Sequence, residues 1–220
     1  MFRDRKDAAE QLGRALEKYR DNNVIVLGIP RGGAETAYYV AKHLHAEMSL
    51  IVTRKLGYPF NPEAAFGAVA EDGSTYISIS AMAGENISDE EMQQVLKEQK
   101  QEIKRRLQKL RRGKPLPNLK GRIVIITDDG IATGATLLAT ISLCKKMKAA
   151  KIVVAAPIAG ERMDAILRAA VDDVVILEKP PFYSAVSQGY EDFENLTDEE
   201  ALAFMDKWEH EFSSKVRRHS

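Results

Sequence analysis

Short apolar runs alternate with longer segments of helical periodicity along most of this chain. The apolar runs are rich in Val and Ile, as is typical of strands buried on both faces of a parallel sheet. They lie at residues 24–29, 48–53, 123–126, 152–157 and 174–178. Strands that alternate with helices predict a single α/β domain over residues 1–220, with a doubly wound, mostly parallel sheet and helices on both of its faces.

The helical segments are recognised by apolar residues spaced three and four apart and by their capping residues. The clearest segments cover residues 5–20, 88–112 and 197–213. Ser88 with Glu91, and Thr197 with Glu200, have the spacing of a capping box. These pairs predict where the last two helices begin.

One connection, residues 54–73, is rich in Gly and Pro and is too long to be an ordinary turn. Long loops within a compact domain usually have a function, and covering an active site is a frequent one. We therefore expect an irregular, flexible lid over 54–73. A strand of a small antiparallel sheet is expected to follow at 75–80.

Charge and composition narrow the class of protein. The 32 Lys and Arg residues balance 32 Asp and Glu residues, so the formal net charge is zero, which disfavours nucleic acid as the main partner. No apolar run has the length of a membrane span, and the charged amino-terminal residues lack the apolar core of a signal peptide. We therefore expect a soluble, cytoplasmic protein. The single cysteine, Cys144, has no partner for an internal disulfide.

The last part of helix 88–112 is basic, with Lys104, Arg105 and Arg106 in succession. Two interpretations are open. The residues form a nucleic-acid-binding patch, or they form a solvated helix face whose cations interact favourably with the helix dipole. The second interpretation is favoured.

The most informative segment is 123–136, in which a buried strand is followed by two carboxylates and two glycines. Asp128 and Asp129 lie at the carboxyl end of the strand, the edge at which open α/β sheets bind ligands. Gly130 and Gly134 allow backbone N–H groups to approach an anion, and the helix that follows offers the positive end of its dipole. The pattern predicts a site for a sugar diol and a phosphate, although an ordinary capped helix would use some of the same residue types.

The stretch TDDGIATGAT resembles the signature of the purine and pyrimidine phosphoribosyltransferases that use 5-phosphoribosyl-1-pyrophosphate (PRPP). The resemblance implies that Asp128 and Asp129 contact the ribose hydroxyls. It also implies that Mg²⁺ binds nearby with the pyrophosphate, held by these two carboxylates directly or through water. The loop that follows is expected to hold the 5′-phosphate. Its residues are Gly130, Ile131, Ala132, Thr133, Gly134, Ala135 and Thr136.

The resemblance extends over most of the chain. The segments FRDR, PRGG, RKLG, GAVAEDG and YEDF, together with DDGIATGAT, are most similar to a bacterial group of phosphoribosyltransferase-like proteins. Membership of this group implies a small hood built from the amino- and carboxyl-terminal segments. It also implies a homodimer.

Pyrophosphate needs a strongly cationic site, and two segments are suited to it. Arg31, Gly32 and Gly33 follow the first strand and begin a helix. The glycines free backbone N–H groups, while Arg31 adds a forked cation. Arg54 and Lys55 end the second strand, where lid closure would bring them to the pyrophosphate. The alternatives are a plain tight turn at PRGG and a solvated strand end at Arg54 and Lys55.

The acceptor base is the part of the site that the sequence specifies least. Phe182 follows the last strand, where the resemblance implies an aromatic ring stacked on a purine, although packing against the core is an open alternative. Two features disfavour a 6-oxopurine. Ala132 stands where the hypoxanthine-guanine enzymes carry an Asp, and residues 156–158 include no cation. Glu63 in the lid is a candidate acid or base.

The sequence thus predicts a Mg²⁺-dependent pentosyltransferase. Such an enzyme transfers 5-phosphoribosyl from PRPP to a nitrogen of a heteroaromatic base and releases pyrophosphate. Two alternatives use the same fold, since fold alone does not define function. One is a regulatory protein that senses PRPP or a nucleotide, and the other is a hydrolase that uses water as the acceptor.

Overall fold

The computed structural model describes residues 1–78 and 87–216, apart from the side chains of residues 62, 63 and 213–216. The strands are β1 (Val24–Gly28), β2 (Glu47–Leu50), β3 (Thr53–Tyr58), β4 (Asn61–Ala70), β5 (Thr75–Ile77), β6 (Ile123–Thr127), β7 (Lys151–Ile158) and β8 (Asp173–Glu178). The α-helices are α1 (Arg5–Ala15), α2 (Gly32–Leu44), α3 (Asp89–Arg111), α4 (Ala135–Lys146), α5 (Glu161–Ala170) and α6 (Asp198–Val216).

Five parallel strands form the central sheet in the order β2-β1-β6-β7-β8. Alternate residues of β1 enter different apolar clusters. Val26 packs in the cluster that contains α1 and α2, whereas Ile25 and Leu27 pack in the cluster that contains α4 and α5. A strand covered on both faces needs apolar residues at every position. The predicted doubly wound α/β fold is therefore confirmed.

The segment predicted to be an irregular lid forms most of a second sheet instead. Strands β3, β4 and β5 pair antiparallel in that order, so the prediction of a structureless loop over 54–73 was wrong. The glycine and proline content of the segment indicated a loop, although one face of the hairpin is apolar. Leu56, Phe66 and Val69 on that face are at most 1% exposed and pack into the core. Movement of this hairpin as a lid stays a prediction. The strand expected at 75–80 is present as β5, while residues 79 and 80 lie outside the described residues.

Helix α3 begins at the predicted capping box of Ser88 and Glu91 and ends in a buried ion pair. The guanidinium of Arg111 lies 2.6 Å from Glu71 Oε1, and the two side chains are only 5% and 8% exposed. Glu71 also accepts a hydrogen bond from the backbone N–H of Val52 at 2.9 Å. The pair therefore fixes the end of α3 against the second sheet.

The amino-terminal segment meets the segment after β8 beside the central sheet. Phe2 forms a parallel bridge with Tyr190, and the two ring centroids lie 5.8 Å apart. Helix α1 ends at Ala15 and a 3-10 turn follows at Glu17–Tyr19, so the helix predicted over 5–20 is shorter than expected. Within the described ranges, none of the helices has the length and apolar character that a membrane crossing requires.

Candidate active site

The site lies at the carboxyl ends of β1 and β6, the neighbouring strands between which the sheet order changes direction. Open α/β sheets bind ligands at such switch points. Strand β1 leads into the loop that carries Arg31 and starts α2, and β6 leads into Asp128 and Asp129. The topology therefore brings the predicted carboxylates and the PRGG loop together.

Gly32 and Gly33 lie where these two loops touch. A Cβ atom at Gly32 would lie 1.8 Å from Asp129 Oδ2, and one at Gly33 would lie 2.9 Å from the carbonyl oxygen of Thr127. A side chain at Gly33 would meet the backbone of the other loop, and one at Gly32 would displace the Asp129 carboxylate, so both positions favour glycine. Close packing of the two loops is a role that the sequence did not predict for these glycines. Their predicted contact with pyrophosphate stays a prediction.

Asp129 is held in place by segments from both ends of the chain. Its Oδ2 forms an ion pair with Arg5 Nε at 2.8 Å, with side chains 12% and 6% exposed respectively. Arg5 also donates a hydrogen bond to the carbonyl oxygen of Glu194 at 2.6 Å, and its guanidinium lies 4.1 Å from the centroid of the Phe193 ring. The Tyr190 hydroxyl donates to the carbonyl oxygen of Asp129.

Arg5 is thus a site residue that sequence reasoning missed. It belongs to the FRDR segment, and its neighbours Tyr190 and Phe193 belong to YEDF. Both segments mark the resemblance, but neither contains a signal that names Asp129 as its partner. The pairing joins residues separated by 124 positions, and only the folded chain shows it.

Asp128 faces the open part of the site. It is half-buried, and its Oδ1 accepts a hydrogen bond from the backbone N–H of Asp129 at 2.9 Å. Burial, followed by the negative charge of Asp129, raises the pKa of Asp128 well above its ordinary value. A carboxylate in this position is stabilised by any cation or hydroxyl donor that a ligand brings.

A cavity of about 780 Å³ opens beside Asp128, between the PRGG loop, the start of β3 and helix α3. Four cationic side chains line it, namely Arg31, Arg54, Lys55 and Arg106, and we call it the cationic cavity. The three cations predicted from the sequence to bind pyrophosphate are therefore brought to one cavity with Asp128. Arg106 was not among them.

A second cavity, of about 650 Å³, also borders Asp128 and is lined in part by the segment after β8. We call it the hood cavity. Part of its wall is apolar, from Val186, Phe193 and Leu196. The wall that it shares with the cationic cavity consists of Pro30, Arg31, Arg54, Arg106 and Asp128. Asp128 therefore lies on a wall shared by two cavities, and Arg31, Arg54 and Arg106 line both of them.

The loop predicted to hold the 5′-phosphate leads into α4. Gly134 precedes the helix with a φ of 71°, in the left-handed region that favours glycine. Ala132 and Thr133 are exposed, and Thr136 lines the cationic cavity. An accessible helix N-terminus next to the site suits an anion. The assignment of this loop to the 5′-phosphate stays a prediction.

Phe182 is not brought to the site. Its side chain is 91% exposed and lines neither cavity, so its position does not support the predicted stacking on a base. Its neighbour Tyr183 packs over the signature loop instead, with the hydroxyl 3.0 Å from where a Cβ of Gly130 would lie. Burial raises the pKa of that hydroxyl. The side chain of Glu63 lies outside the described residues.

No group of three or more His, Cys, Asp or Glu side chains in residues 1–78 and 87–216 is arranged to hold a metal ion by itself. Mg²⁺ fits the site in another way, because it commonly binds one or two carboxylates together with substrate phosphates and water. Asp128 offers such a carboxylate, whereas Asp129 Oδ2 is already paired with Arg5. Asp128 is therefore the better placed of the two predicted metal ligands.

A parallel sheet with paired carboxylates at its switch point, followed by a glycine loop and a helix, is the architecture that the sequence resemblance implies. Residues 2–188 match the family model of the phosphoribosyl transferase domain. The chain belongs to this family.

Two other proteins are similar to this chain over nearly all of its length. The protein named "Putative phosphoribosyl transferase Rv0571c" of Mycobacterium tuberculosis is 41% identical over 213 residues, which are 97% of this chain and 48% of the relative. The chain therefore spans about half the length of the curated relatives it matches. The crystal structure of TT1426 from Thermus thermophilus is similar over 94% of this chain and 98% of that chain, with 35% identity and a TM-score of 0.79.

Proposed function

We propose that this protein transfers the 5-phosphoribosyl group of PRPP to a nitrogen of a heteroaromatic base and releases pyrophosphate. The observation that carries the proposal is the position of Asp128 on the wall shared by the cationic cavity and the hood cavity. A ribose bound at this carboxylate would border the cations that line both cavities and the apolar residues Val186, Phe193 and Leu196 of the hood cavity. A departing anion and an entering flat base need these two environments.

In this arrangement the ribose hydroxyls donate hydrogen bonds to Asp128. The 5′-phosphate occupies the loop before α4, where helix N–H groups and the helix dipole favour an anion. The pyrophosphate lies among Arg31, Arg54 and Lys55. The anomeric carbon is thereby held between the two cavities, and this positioning removes much of the entropic barrier to the reaction.

In the reaction the lone pair of a ring nitrogen forms a bond to the anomeric carbon, and the bond to the pyrophosphate oxygen breaks. Pyrophosphate leaves with the electron pair, and its basic oxygens take up the ring proton that the base loses. Positive charge that develops on the sugar is stabilised by Asp128, and negative charge on pyrophosphate is stabilised by the cationic cavity. Mg²⁺ bound by Asp128 and the diphosphate would supply further positive charge at the leaving group.

The acceptor that we propose is a heteroaromatic base other than a 6-oxopurine. Ala132 provides no carboxylate for a ring proton, and residues 156–158 provide no cation for an oxo group. The apolar walls of the hood cavity, from Val186, Phe193 and Leu196, suit a flat ring. Aromatic rings bury a large area at low entropic cost, so this surface favours binding of any planar base.

Pyrophosphate release from PRPP in the presence of Mg²⁺ tests the proposal. It is measured with and without a panel of purine, pyrimidine and other heteroaromatic acceptors. We expect release that depends on one class of acceptor, together with formation of the matching nucleotide. Release that no acceptor accelerates would indicate a hydrolase, and tight PRPP binding without release would indicate a sensor. Either outcome overturns the transferase.

Asp128→Asn removes the carboxylate charge and keeps the size of the side chain. We expect kcat/KM for PRPP to fall by about 100- to 1000-fold, because a charge aimed at the transition state is lost. Stability should not fall, because burial already disfavours the ionised form of Asp128. Steady-state kinetics and urea unfolding measure both effects, and an unchanged kcat/KM would contradict the assignment.

A homodimer in the cytoplasm accompanies the proposal and is carried over from the sequence analysis. Light scattering after size exclusion measures the assembly directly. A monomer of this chain has a mass of 24.5 kDa, and the proposed dimer has about twice that mass.

A further inference from the structure

Helix α3 brings a cation to the site that none of the sequence motifs contains. Arg106 lines both the cationic cavity and the hood cavity. Its side chain is 16% exposed, whereas that of the adjacent Arg105 is 54% exposed. A solvated helix face is therefore the correct description for Arg105 and the wrong one for Arg106.

The helix turns one stripe of residues toward the cationic cavity. Val95, Gln99 and Arg106 all line it, and their spacing of four and seven residues places them on one helical face. Gln99 Oε1 accepts a hydrogen bond from Arg54 Nε at 3.0 Å. Helix α3 thus positions the guanidinium that β3 contributes and adds a second guanidinium of its own.

The positive charges on this wall outnumber the negative ones, because four cations line the cationic cavity against two carboxylates, Glu98 and Asp128. Arg106 pairs with Glu102 at 3.0 Å, but Arg105 binds the same carboxylate through two hydrogen bonds of 2.8 Å. The bond from Arg54 goes to an uncharged amide. Burial, followed by repulsion from Arg106, lowers the pKa of Arg54. The two guanidinium groups therefore face one space with an excess of positive charge.

We propose that Arg106 binds the diphosphate group of the substrate and clamps it against Arg54, an inference that rests on the proposed function. A guanidinium binds phosphate oxygens through two parallel N–H bonds, which a lysine cannot reproduce. A diphosphate has enough terminal oxygens for two such groups. Its negative charge also offsets the repulsion between Arg54 and Arg106, so part of its affinity comes from relief of that repulsion.

Calorimetric titration with inorganic pyrophosphate and with PRPP, each with Mg²⁺, tests this role in Arg106→Gln. The matched control is Arg105→Gln, which removes one positive charge at the neighbouring position. Arg105 pairs with the same carboxylate, Glu102, as Arg106 does. We expect Arg106→Gln to weaken both ligands by about 10- to 100-fold, the effect of losing a hydrogen bond between charged groups. Arg105→Gln should weaken them by less than about threefold. Arg106→Lys should give an intermediate loss, because it keeps the charge without the fork.

Ribose 5-phosphate, which lacks the diphosphate, should bind equally to all variants, and their unfolding temperatures should agree. Equal pyrophosphate affinity in Arg106→Gln and the unaltered chain would overturn the inference. Equal losses in Arg106→Gln and Arg105→Gln would also overturn it, because they would show a general effect of charge. An unaltered chain that binds neither PRPP nor pyrophosphate would instead refute the proposed function, and this inference with it.

Discussion

Two buried arginine–carboxylate pairs stabilise two regions of this molecule in different ways. The pair of Arg5 and Asp129 joins the amino-terminal helix α1 to the carboxyl end of β6 in the central sheet. The pair of Arg111 and Glu71 joins α3 to the second sheet. The distances are similar, 2.8 and 2.6 Å. The surroundings differ, because Glu71 accepts a further hydrogen bond from the backbone of Val52 while Asp129 borders the hood cavity.

The comparison shows that ion-pair geometry alone does not separate a structural pair from one that shapes a site. Removing one partner of a buried pair leaves an unpaired charge, which costs about 3–5 kcal/mol. At Glu71 we expect that cost to appear as lost stability only. At Asp129 we expect lost stability together with lost activity, because the adjacent Asp128 is placed by the same loop.

The largest expected effect is that of Arg111→Met. It leaves Glu71 in the core without its cation, so the free energy of unfolding should fall by about 3–5 kcal/mol near neutral pH. The affinity of the folded fraction for PRPP should stay unchanged. Urea unfolding and calorimetric titration measure the two quantities.

The pH dependence of this variant gives a sharper test. Burial raises the pKa of Glu71, and Arg111 acts against that shift, so without Arg111 the folded-state pKa rises further above the reference value of 4.5. A group whose pKa is raised in the folded state adds stability at low pH, and this contribution is lost as pH rises. The loss of unfolding free energy in Arg111→Met should therefore shrink as pH falls from about 7 to about 5. Adding Glu71→Leu to Arg111→Met removes the unpaired carboxylate and should recover most of the lost stability. A deficit that does not vary with pH would contradict this explanation.

Arg5→Met is expected to cost less stability and more activity. The loss should be below the roughly 3–5 kcal/mol of a fully buried pair, because Asp129 gains water from the hood cavity. A displaced carboxylate loop should lower kcat/KM by about 10- to 100-fold. Arg5→Lys keeps the charge and should recover part of both losses. If Arg5→Met turned over PRPP normally, the pair would be structural, like that of Arg111.

Gly32→Ala tests the close approach of the two site loops. The added Cβ would lie 1.8 Å from Asp129 Oδ2, so either the carboxylate must leave its pair with Arg5 or the loops must separate, at a cost of about 1–3 kcal/mol. Gly160→Ala is the matched control, since its Cβ would meet nothing nearer than Tyr183 at 3.6 Å. Gly160 is the N-cap of α5, where Ala is less favourable than Gly, so we expect the control to cost about 0.5–1 kcal/mol. Equal unfolding free energies for the two variants would count against the packing role of Gly32.

The smallest effect is expected at a partly exposed pair on α3. Hydrogen bonds from Arg105, and next from Arg106, lower the pKa of Glu102 to about 2. A group whose pKa is lowered in the folded state adds stability at pH values above its pKa in the unfolded chain, and this contribution is lost as pH falls. Glu102→Gln should therefore cost less than about 1 kcal/mol near neutral pH, and the difference should shrink between about pH 5 and pH 3. A difference that grows toward low pH would refute this assignment.

The sequence predicted best those elements whose signals are local. The β-branched residues of β6 and the capping box at Ser88 each lie within a few positions of the structure that they specify. The hairpin of β3 and β4 was missed because its apolar face depends on packing against residues far along the chain. Phe182 shows the same limit, since its place after the last strand predicted a ring stacked on a base or packed against the core, and the fold leaves that ring exposed.

By itself the sequence determined the fold class, the places of the central-sheet strands along the chain and the carboxylate–glycine segment after β6. These features follow from side-chain period, capping and turn chemistry among neighbouring residues. Only the tertiary structure decided that Asp129 is paired with Arg5 and that Arg106 faces the site beside Arg54. Such contacts join residues as many as 124 positions apart. Local propensities act over a few residues, whereas these pairings arise when whole sheets and helices pack together.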